Sequence, residues 1–534
     1  SDLTGLPLQE TGCISCGACV DVCPTGAIAE RGTRRGPWRP SWQPLRCLEC
    51  GVGCLLEVDL SGGQPVLRPQ GGTDAPVGSI CARGRYGIPA AMAGQRLTTP
   101  LVRGGDGELH PASWRQALGR AAEGLAAARD AGAGGVGLFA GSRLTTEEAY
   151  LAARLARAGL RTDIVGNLEL LLDPGAVPGT LARLDLPASP SLAELEAADL
   201  ILLCNADPWA AQPVLGMALR RAVRRGATLV GLGCLGNETA ALATRWLPVA
   251  RGSLDFALGW MTHHLIEQGA LLASGRGGLL PGVTEIKAGL AGADPTEVAR
   301  QTGASVEELE RLARQLVEPG CKVVVLHDPE RQWDRAPRLL ETLTLLLSLA
   351  GRLEAPGSGL LQLSRQANLL GHLQAGFFPG LLPARLSWSE ASARDRLTGL
   401  WGGLPADPGS ADEARGQILA GLGAALLLDQ DPLGDTQLAG RFGRPAFLVA
   451  AALAETPTTR LADVVLPLAA PWEATGTILA GDGRQHALTA LLPPPGGLST
   501  LQLLIDLGRA LGLAGEGAPV DAPTVAAELV GLAG

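Results

Sequence analysis

Four cysteines near the start of the chain, Cys13, Cys16, Cys19 and Cys23, have the spacing of an iron–sulfur motif, and Pro24 follows the last of them. Three thiolates spaced three residues apart can bind three corners of a [4Fe–4S] cluster, whereas a fourth cysteine followed by proline ligates a different cluster. The spacing therefore assigns Cys13, Cys16 and Cys19 to one cluster and Cys23 to another. A zinc site is the alternative, but zinc usually takes two separated C-x-x-C pairs.

This motif is half of a two-cluster ferredoxin motif, because no second copy of it occurs in the sequence. Three explanations stay open. The chain is a fragment of a longer one, or a partner subunit supplies the other half, or the remaining cysteines hold a single cluster. In the first two cases, some ligands of the first cluster come from outside these residues.

A second group of cysteines is complete. Cys47, Cys50 and Cys54 lie in the segment CLECGVGC, and Cys81 follows in CARGRYG. Four thiols are enough to hold one [4Fe–4S] cluster, and the glycines inside the segment let the backbone turn tightly around it. Cys204, Cys234 and Cys321 lie on or beside apolar runs and are expected to be small buried residues.

The composition is typical of a well-packed α/β protein. Of 534 residues, 46% are hydrophobic and 18% charged, and the net charge is −9. An acidic chain without a basic stripe gives no support for nucleic-acid binding. The longest apolar run is too short to cross a bilayer, so we expect no direct membrane insertion. The expected location is cytoplasmic, including the peripheral arm of a membrane-associated complex.

Apolar strand-like runs alternate with amphipathic helical segments after residue 113. Ser113 is a predicted helix N-cap, and a second helix is predicted from Thr145 to Ala158. Continuous apolar strands between helices are typical of parallel sheets that are covered on both faces. We therefore predict an α/β fold with two doubly wound domains. The strand-like runs are 136–142, 198–208, 227–233, 322–329, 424–432, 446–453 and 462–467.

Several blocks of the sequence together resemble the molybdopterin oxidoreductase family, and they occur in the order found in that family. The family includes formate dehydrogenases, nitrate reductases and the large iron–sulfur subunit of respiratory complex I. After the cysteine segment and Cys81, the blocks are RLTTPLVR, SRLTTEEAYLAARLAR, ADLILLCNADPWAAQPVLG, PVARGSLD, SRQANLLGHLQAGFFPGLLP and ADVVLPLAAPWEATGTILAGDGRQ.

For catalytic members, the resemblance implies a molybdopterin guanine dinucleotide cofactor between the two α/β domains, with Mo or W bound by a protein side chain. It places Leu172 at the position of that ligand. Leucine has no lone pair to donate, so no catalytic residue is assigned, and the adjacent Asp173 is the fallback ligand. A working molybdenum site is therefore not expected, and bound molybdopterin guanine dinucleotide is not expected either.

The resemblance also assigns a vestigial pterin pocket, whose residues are alternatively structural loop and capping residues. They are Arg83, Asn205, Asp207, Asp255, Arg365, Asn368 and Asp431. The expected domains are a partial two-cluster ferredoxin-like segment (1–38), a [4Fe–4S] domain (39–98), a first doubly wound domain (99–165 with 361–515), a second one (166–360) and a tail (516–534). The family's C-terminal β-barrel is expected to be absent.

The leading hypothesis is an iron–sulfur electron-transfer and scaffold subunit of a multi-subunit, NADH-linked oxidoreductase complex of the complex I, hydrogenase or formate dehydrogenase type. Its expected partners are a flavin- and NADH-binding subunit and ferredoxin-like or hydrogenase-like subunits. The alternative is a catalytic Mo or W subunit, such as that of a formate dehydrogenase, with its C-terminal domain missing or on another chain. A third hypothesis is a structural relic whose clusters only stabilise the fold.

Overall fold

The computed structural model describes residues 13–29, 41–61, 65–70, 79–132, 135–173, 189–233, 236, 238–269, 288, 294–328, 339–406, 408–513 and 521–533. Much of the partial ferredoxin-like segment (1–12 and 30–38) and Cys234 lie outside these residues. In the described part of the chain, no helix is long and apolar enough to span a bilayer.

The elements up to residue 200 are helix α1 (Ala18–Asp21), strands β1 (Trp42–Arg46), β2 (Leu55–Asp59) and β3 (Val66–Pro69), a π-helical turn (Arg83–Gly87), α2 (Ile88–Ala93), β4 (Leu101–Arg103), β5 (Leu109–Pro111), α3 (Trp114–Ala131), β6 (Val136–Ala140), α4 (Thr146–Arg154, continued by a π-helical turn Leu155–Gly159), β7 (Val165–Gly166), α5 (Leu168–Leu172) and α6 (Leu192–Glu196).

The next elements are β8 (Leu200–Cys204), α7 (Pro208–Ala211), α8 (Pro213–Arg224), β9 (Thr228–Gly233), β10 (Arg245–Pro248), α9 (Leu254–Glu267), α10 (Pro295–Thr302), α11 (Val306–Leu316), β11 (Val323–His327), α12 (Leu339–Leu349), β12 (Gly359–Gln362), α13 (Leu369–Gln374), α14 (Ala391–Trp401), α15 (Ala411–Ala420), β13 (Ala424–Leu428), β14 (Phe447–Ala452), α16 (Pro457–Leu461), β15 (Val464–Pro467), β16 (Gly476–Leu479), β17 (Gln485–Leu488), α17 (Thr500–Ala510) and α18 (Ala522–Ala533).

The chain forms two compact units. The first unit is Ser1–Ala93, Leu184–Arg365 and Gly481–Gly483, and the second is Gly94–Arg183, Gln366–Ala480 and Arg484–Gly534. Both segments that carry cysteine motifs therefore belong to the first unit. Residues 166–173 were expected in the other α/β domain but belong to the second unit, because β7 pairs with β6 and α5 follows it directly.

The first unit contains an antiparallel sheet in the order β1-β2-β3 and a five-stranded parallel sheet in the order β10-β9-β8-β11-β12. One face of the parallel sheet packs through Ile201, Leu203 and Val324 onto apolar residues of α8 such as Leu219. Residues of the other face, such as Leu202, are buried as well. Burial on both faces explains why the central strands of this sheet are mostly apolar.

The second unit contains a seven-stranded sheet in the order β5-β4-β15-β14-β13-β6-β7, in which β4 and β5 are antiparallel to the parallel remainder, and a hairpin of β16 and β17. Its core includes Leu138, Leu426 and Val449, which pack with apolar residues of α3 and α4. The predicted fold class, two doubly wound parallel sheets, is confirmed.

Ser113 is the helix N-cap that the sequence predicts, and Thr145, predicted as the first residue of a helix, is the N-cap of α4. Ser113 Oγ accepts a hydrogen bond from the backbone N–H of Gln116 at 3.3 Å, and Thr145 Oγ1 accepts one from that of Glu148 at 3.1 Å. In each case the side chain of the residue three positions after the cap reaches back to the cap backbone, which closes a capping box.

The last residues differ from the tail that the sequence suggested. Residues 516–520 lie outside the described part, but α18 follows them as a regular helix. Val525, Leu529 and Leu532 of α18 are buried in the core of the second unit. Their spacing of four and three residues puts them on one face of the helix, which explains why a Leu/Ala/Gly-rich segment packs instead of trailing away.

Candidate metal centres

The complete cysteine group lies in a loop that the first sheet closes at its base. Strands β1 and β2 are antiparallel, and Arg46 pairs with Leu55 at the end of the ladder. One step further, the Cys47 N–H donates to the Cys54 carbonyl at 2.9 Å. Inside the loop, Gly53 adopts a left-handed conformation (φ 59°), which suits glycine. The ladder therefore holds the three thiols of the loop in one short turn.

The fourth thiol comes from Cys81, directly before the π-helical turn. The Arg85 N–H donates to the Cys81 carbonyl at 2.9 Å, which anchors the start of the turn. The turn passes close to the loop, since a Cβ built on Gly84 would lie 3.7 Å from Cys47 Sγ. Cys47, Cys50 and Cys81 are buried and Cys54 is half-buried.

The pKa shifts of these cysteines have two causes, burial and the neighbouring thiols of the group. Burial raises the pKa of the Cys50 thiol to about 11, and repulsion from Cys81 adds to the shift. The pKa values of Cys47 and Cys54 are raised too, first by burial and then by the other thiols of the group. Bound iron would oppose this effect, because a cation stabilises the thiolate form. Four neighbouring thiols, three of them in buried residues, fit a [4Fe–4S] cluster.

Two arginines supply positive charge next to this group. The Arg83 guanidinium lowers the pKa of Cys50, and that of Arg46 lowers the pKa of Cys54, although burial dominates at both thiols. Arg46 Nη1 also donates to the Gly53 carbonyl at 2.7 Å. A bound cluster would carry negative charge on its thiolates and sulfides, which these arginines are placed to offset.

Within the first unit, the cluster loop contacts the carboxyl edge of the parallel sheet. The Gly51 N–H donates to the carbonyl of Ser364, two residues beyond β12, at 2.9 Å. The Gly51 carbonyl accepts from the Gly481 N–H at 2.6 Å. Arg83 donates to the Ala211 carbonyl at the end of α7. The loop is thus bonded to the edge where doubly wound sheets usually bind ligands.

Beside Cys204, the same edge carries two polar side chains that the cysteine motifs and family blocks did not indicate. Cys204, His327 and Gln362 end β8, β11 and β12, and the sheet register aligns them in one row. Burial lowers the pKa of His327 to about 4, so its imidazole is neutral near pH 7. Each of these residues ends an apolar strand-like run in the sequence, so the row could have been predicted from that position.

The first cysteine group lies in a more open setting. Cys13 and Cys19 are exposed, and Gly17 (φ 72°) precedes the short helix α1. The pKa of Cys23 is lowered to about 7, chiefly by a hydrogen bond from the backbone N–H of Ile28, and Thr25 Oγ1 lies 3.6 Å from its sulfur. Hydrogen bonds of this kind favour the thiolate.

Among the residues that the structure describes, no three His, Cys, Asp or Glu side chains are arranged to hold a single metal ion. A mononuclear site needs its sulfur ligands about 2.3 Å from one atom. A cubane distributes its thiolates over separate iron atoms, so this finding concerns mononuclear sites.

The pocket residues of the first unit serve local structure in part. Asn205 (φ 50°) turns the chain after β8. Asp207 is buried, caps α7 through the Ala210 N–H and accepts from Thr239 Oγ1 at 2.6 Å. Asp255 accepts from the Phe256 N–H at 2.9 Å in the first turn of α9. Arg365 is exposed.

The pocket residues of the second unit are hydrogen-bonded to neighbouring loops. Asn368 is fully buried and donates to the Leu144 carbonyl at 2.9 Å, while its side-chain oxygen accepts from the Leu479 N–H at 2.8 Å. Asp431 accepts from the N–H and the hydroxyl of Thr458 at 3.0 and 2.5 Å. Both side chains therefore have structural roles.

The position expected for a Mo or W ligand is part of the core of the second unit. Leu172 ends α5 with its side chain fully buried. Arg415 donates to the carbonyl of Leu171 at 3.0 Å, and Arg441 donates to that of Leu172. Asp173 is half-buried and follows the helix in extended backbone. Leu172 itself does not fit a metal ligand, because its side chain offers no donor atom and is fully buried.

Comparison with protein families gives two matches. Residues 96–499 match the molybdopterin oxidoreductase model, and residues 8–29 match the 4Fe-4S binding domain model. The second match covers all four cysteines of the first group. It indicates a [4Fe–4S]-binding segment at that group.

Curated relatives include subunits of NADH-quinone oxidoreductases and formate dehydrogenases. The chain is 31% identical over 526 residues to an NADH-quinone oxidoreductase subunit of Streptomyces coelicolor, covering 92% of this chain and 56% of that protein. It is 26% identical over 487 residues to formate dehydrogenase H of Escherichia coli, covering 87% and 68%. The chain thus spans little more than half the length of the first of these relatives.

Among solved structures, acetylene hydratase from Pelobacter acetylenicus matches with a TM-score of 0.67 and 18% identity, over 88% of this chain and 69% of that one. At that identity, the likeness shows a shared fold and nothing about the reaction.

Proposed function

The chain belongs to the molybdopterin oxidoreductase family, and we propose that it serves there as an iron–sulfur electron-transfer and scaffold subunit of a multi-subunit, NADH-linked oxidoreductase. The observation that carries this proposal is the group of four converging thiols at Cys47, Cys50, Cys54 and Cys81. Similarity to an NADH-quinone oxidoreductase subunit supports the link to NADH.

A [4Fe–4S] cluster at this group would accept and release single electrons. The chain's own residues would set its properties. Burial of the thiols keeps water away, and the hydrogen-bonded loop fixes the distance of the cluster from the parallel sheet. The charges of Arg46 and Arg83 would favour the reduced, more negative form of the cluster, because net charge near a cluster changes its potential.

The proposal includes the absence of a working molybdenum site. Leu172 supports it, because this side chain is buried and cannot bind metal. The structural hydrogen bonds of Asp207, Asn368 and Asp431 are consistent with a pterin pocket that has become scaffold. Molybdopterin guanine dinucleotide is accordingly not part of the proposed cofactor set.

The first cysteine group extends the proposal to partners. Cys13, Cys16 and Cys19 supply three ligands, so we infer that the fourth comes from a longer form of the chain or from a ferredoxin-like partner. The further partners would be a flavin- and NADH-binding subunit that delivers electrons and, in a complex of the hydrogenase type, a hydrogenase-like subunit that receives them.

The substitution Cys50→Ala in the assembled complex tests the electron-transfer role. We expect loss of the EPR signal of the cluster held by the complete group and interruption of NADH-driven turnover. The matched control is Cys204→Ala, which removes a buried thiol outside both groups and should preserve the signal. Unchanged turnover in the absence of the signal would refute the role.

The alternative, a catalytic Mo or W subunit, makes a different prediction. Such a subunit would reduce a dye with formate as electron donor, and its activity would depend on Asp173. An electron-transfer and scaffold subunit would neither reduce the dye with formate nor depend on Asp173.

A further inference from the structure

One ion pair connects the two cysteine groups. Arg85 Nη1 and Nη2 donate to the two carboxylate oxygens of Asp21 at 2.8 and 2.6 Å. Asp21 lies in α1, between Cys19 and Cys23 of the first group. Arg85 lies in the π-helical turn, four residues after Cys81 of the complete group. The pair therefore joins two segments that are 64 residues apart in sequence.

The arginine side of this contact is well fixed. The side chain of Arg85 is only 6% exposed, and its backbone N–H is bonded to the Cys81 carbonyl. Asp21 is one-third exposed, so it is the side that reaches in from the surface. A bidentate arginine–carboxylate pair sets orientation as well as distance, because both hydrogen bonds lie in one plane.

The Arg85 side chain also contacts the backbone of the first cysteine group, at Gly17. Gly17 lies between Cys16 and Cys19 in a left-handed conformation, with φ 72°. A Cβ built on Gly17 would lie 2.3 Å from Arg85 Nε and 2.6 Å from Arg85 Cζ. The Arg85 side chain thus lies directly against the backbone of the first cysteine loop at Gly17. Lysine could not make this contact, because its ammonium is neither planar nor forked.

We propose that Arg85 is the positioning residue that holds the two clusters at a fixed spacing, so that one electron can leave one cluster and arrive on the other. This inference rests on the proposed function. Arg85 contacts the first loop through the Gly17 backbone and the Asp21 carboxylate, and it is tied to the second cluster through Cys81.

The test uses the assembled complex with both clusters loaded and reduced. The wild type should show magnetic interaction between the clusters as a split or relaxation-broadened EPR signal. Arg85→Gln and Asp21→Asn should remove or weaken that interaction, while the iron content of the complete group stays unchanged. Arg85→Lys keeps the positive charge but loses the two-pronged guanidinium. It should therefore weaken the magnetic interaction between the clusters more than it changes their reduction potentials.

The matched control is Arg68→Gln, which breaks the ion pair with Glu57 on β2 and β3, outside both cysteine groups. It should leave the interaction and both potentials unchanged. If Arg85→Gln fails to retain the first cluster, amide hydrogen exchange supplies a second readout. Exchange at residues 17–23 should then be about tenfold faster or more than in the control, because a charged bidentate pair has been lost.

An interaction and exchange rates that are unchanged in both Arg85→Gln and Asp21→Asn would overturn the inference and leave the proposed function intact. Absence of any magnetic interaction in the wild type, with both clusters present, would overturn it too. Absence of iron from the complete group in the wild type would instead defeat the proposed function itself.

Discussion

The Gly51 N–H donates to the Ser364 carbonyl at 2.9 Å, which bonds the loop of the complete cysteine group to the edge of the five-stranded sheet. Gly51 makes a second backbone hydrogen bond, because its carbonyl accepts from the Gly481 N–H. Three segments distant in sequence thus meet at one glycine. The large α/β fold has a definite role at this point, because it fixes the position of the cluster loop.

Gly481→Val should loosen the complete cluster. A Cβ at Gly481 would lie 3.1 Å from the Gly51 carbonyl oxygen and 3.4 Å from that of Gln362. A branched side chain would push the loop away from the sheet, at a cost of about 1–3 kcal/mol for overpacking. Iron release to a chelator should therefore be about tenfold faster or more. Gly443→Val, at a glycine with open space around it, is the control, and equal release rates in the two variants would contradict the prediction.

Leu172→Ala should behave as an ordinary core substitution. The side chain is fully buried, so we expect a loss of about 2–5 kcal/mol in the free energy of unfolding. Electron transfer per folded complex should be unchanged. Leu168→Ala, at another fully buried leucine of α5, is the matched control and should give the same pattern. A loss of turnover confined to Leu172→Ala would favour the catalytic alternative.

Helix α18 should contribute to the stability of the second unit. Leu529→Ala removes a buried leucine and should lower the free energy of unfolding by about 2–5 kcal/mol. Its neighbour Val530 is 71% exposed, so Val530→Ala should change that free energy by less than about 0.5 kcal/mol. Denaturant unfolding of both variants checks the difference, and equal midpoints would mean that the helix does not pack as described.

Glu148 should make the second unit less stable as the pH rises. Burial is the main cause that raises the pKa of this carboxyl to about 7, and it is the reciprocal partner of Thr145 in the capping box of α4. A raised folded-state pKa means that the folded protein prefers the protonated acid. Stability from this preference is complete below the unfolded pKa of about 4.5 and is lost as the pH rises through about 7.

Relative to wild type, Glu148→Gln should therefore lose little or no stability at pH 7 and more at pH 4.5. The loss in the free energy of unfolding on substitution should differ between the two pH values by at most roughly 3 kcal/mol. Glu413→Gln removes the carboxylate from an exposed capping box and serves as the control. The prediction would be contradicted if the free energy of unfolding changed with pH in the same way in wild type and Glu148→Gln.

The fold was largely predictable because its signals are local. Strands such as β8 and β13 are apolar at every position, and caps such as Ser113 mark the starts of helices. The cysteine groups were readable for the same reason, since ligand spacing lies within a few residues. The short tail was a wrong expectation, because Val525, Leu529 and Leu532 recur at a helical spacing that a Leu/Ala/Gly-rich composition conceals.

Contacts between distant segments could not be predicted in this way. Nothing local to Asp21 indicates that its partner is Arg85, because the pair depends on how the π-helical turn and α1 come together. The alignment of His327 with Gln362 likewise depends on strand order, which joins β11 to β12. The roles of Cys47, Cys50, Cys54 and Cys81 as ligands remain a prediction.

Elemental analysis of the anaerobically purified protein, with Fe, Mo and W measured together, tests whether the chain holds iron–sulfur clusters without a molybdenum or tungsten site. We expect about four to eight iron atoms per chain, corresponding to one or two [4Fe–4S] clusters, and no Mo or W. Stoichiometric Mo or W would contradict this expectation, because a metal would then occupy a site that Leu172 cannot ligate, and Asp173 would become the first residue to replace.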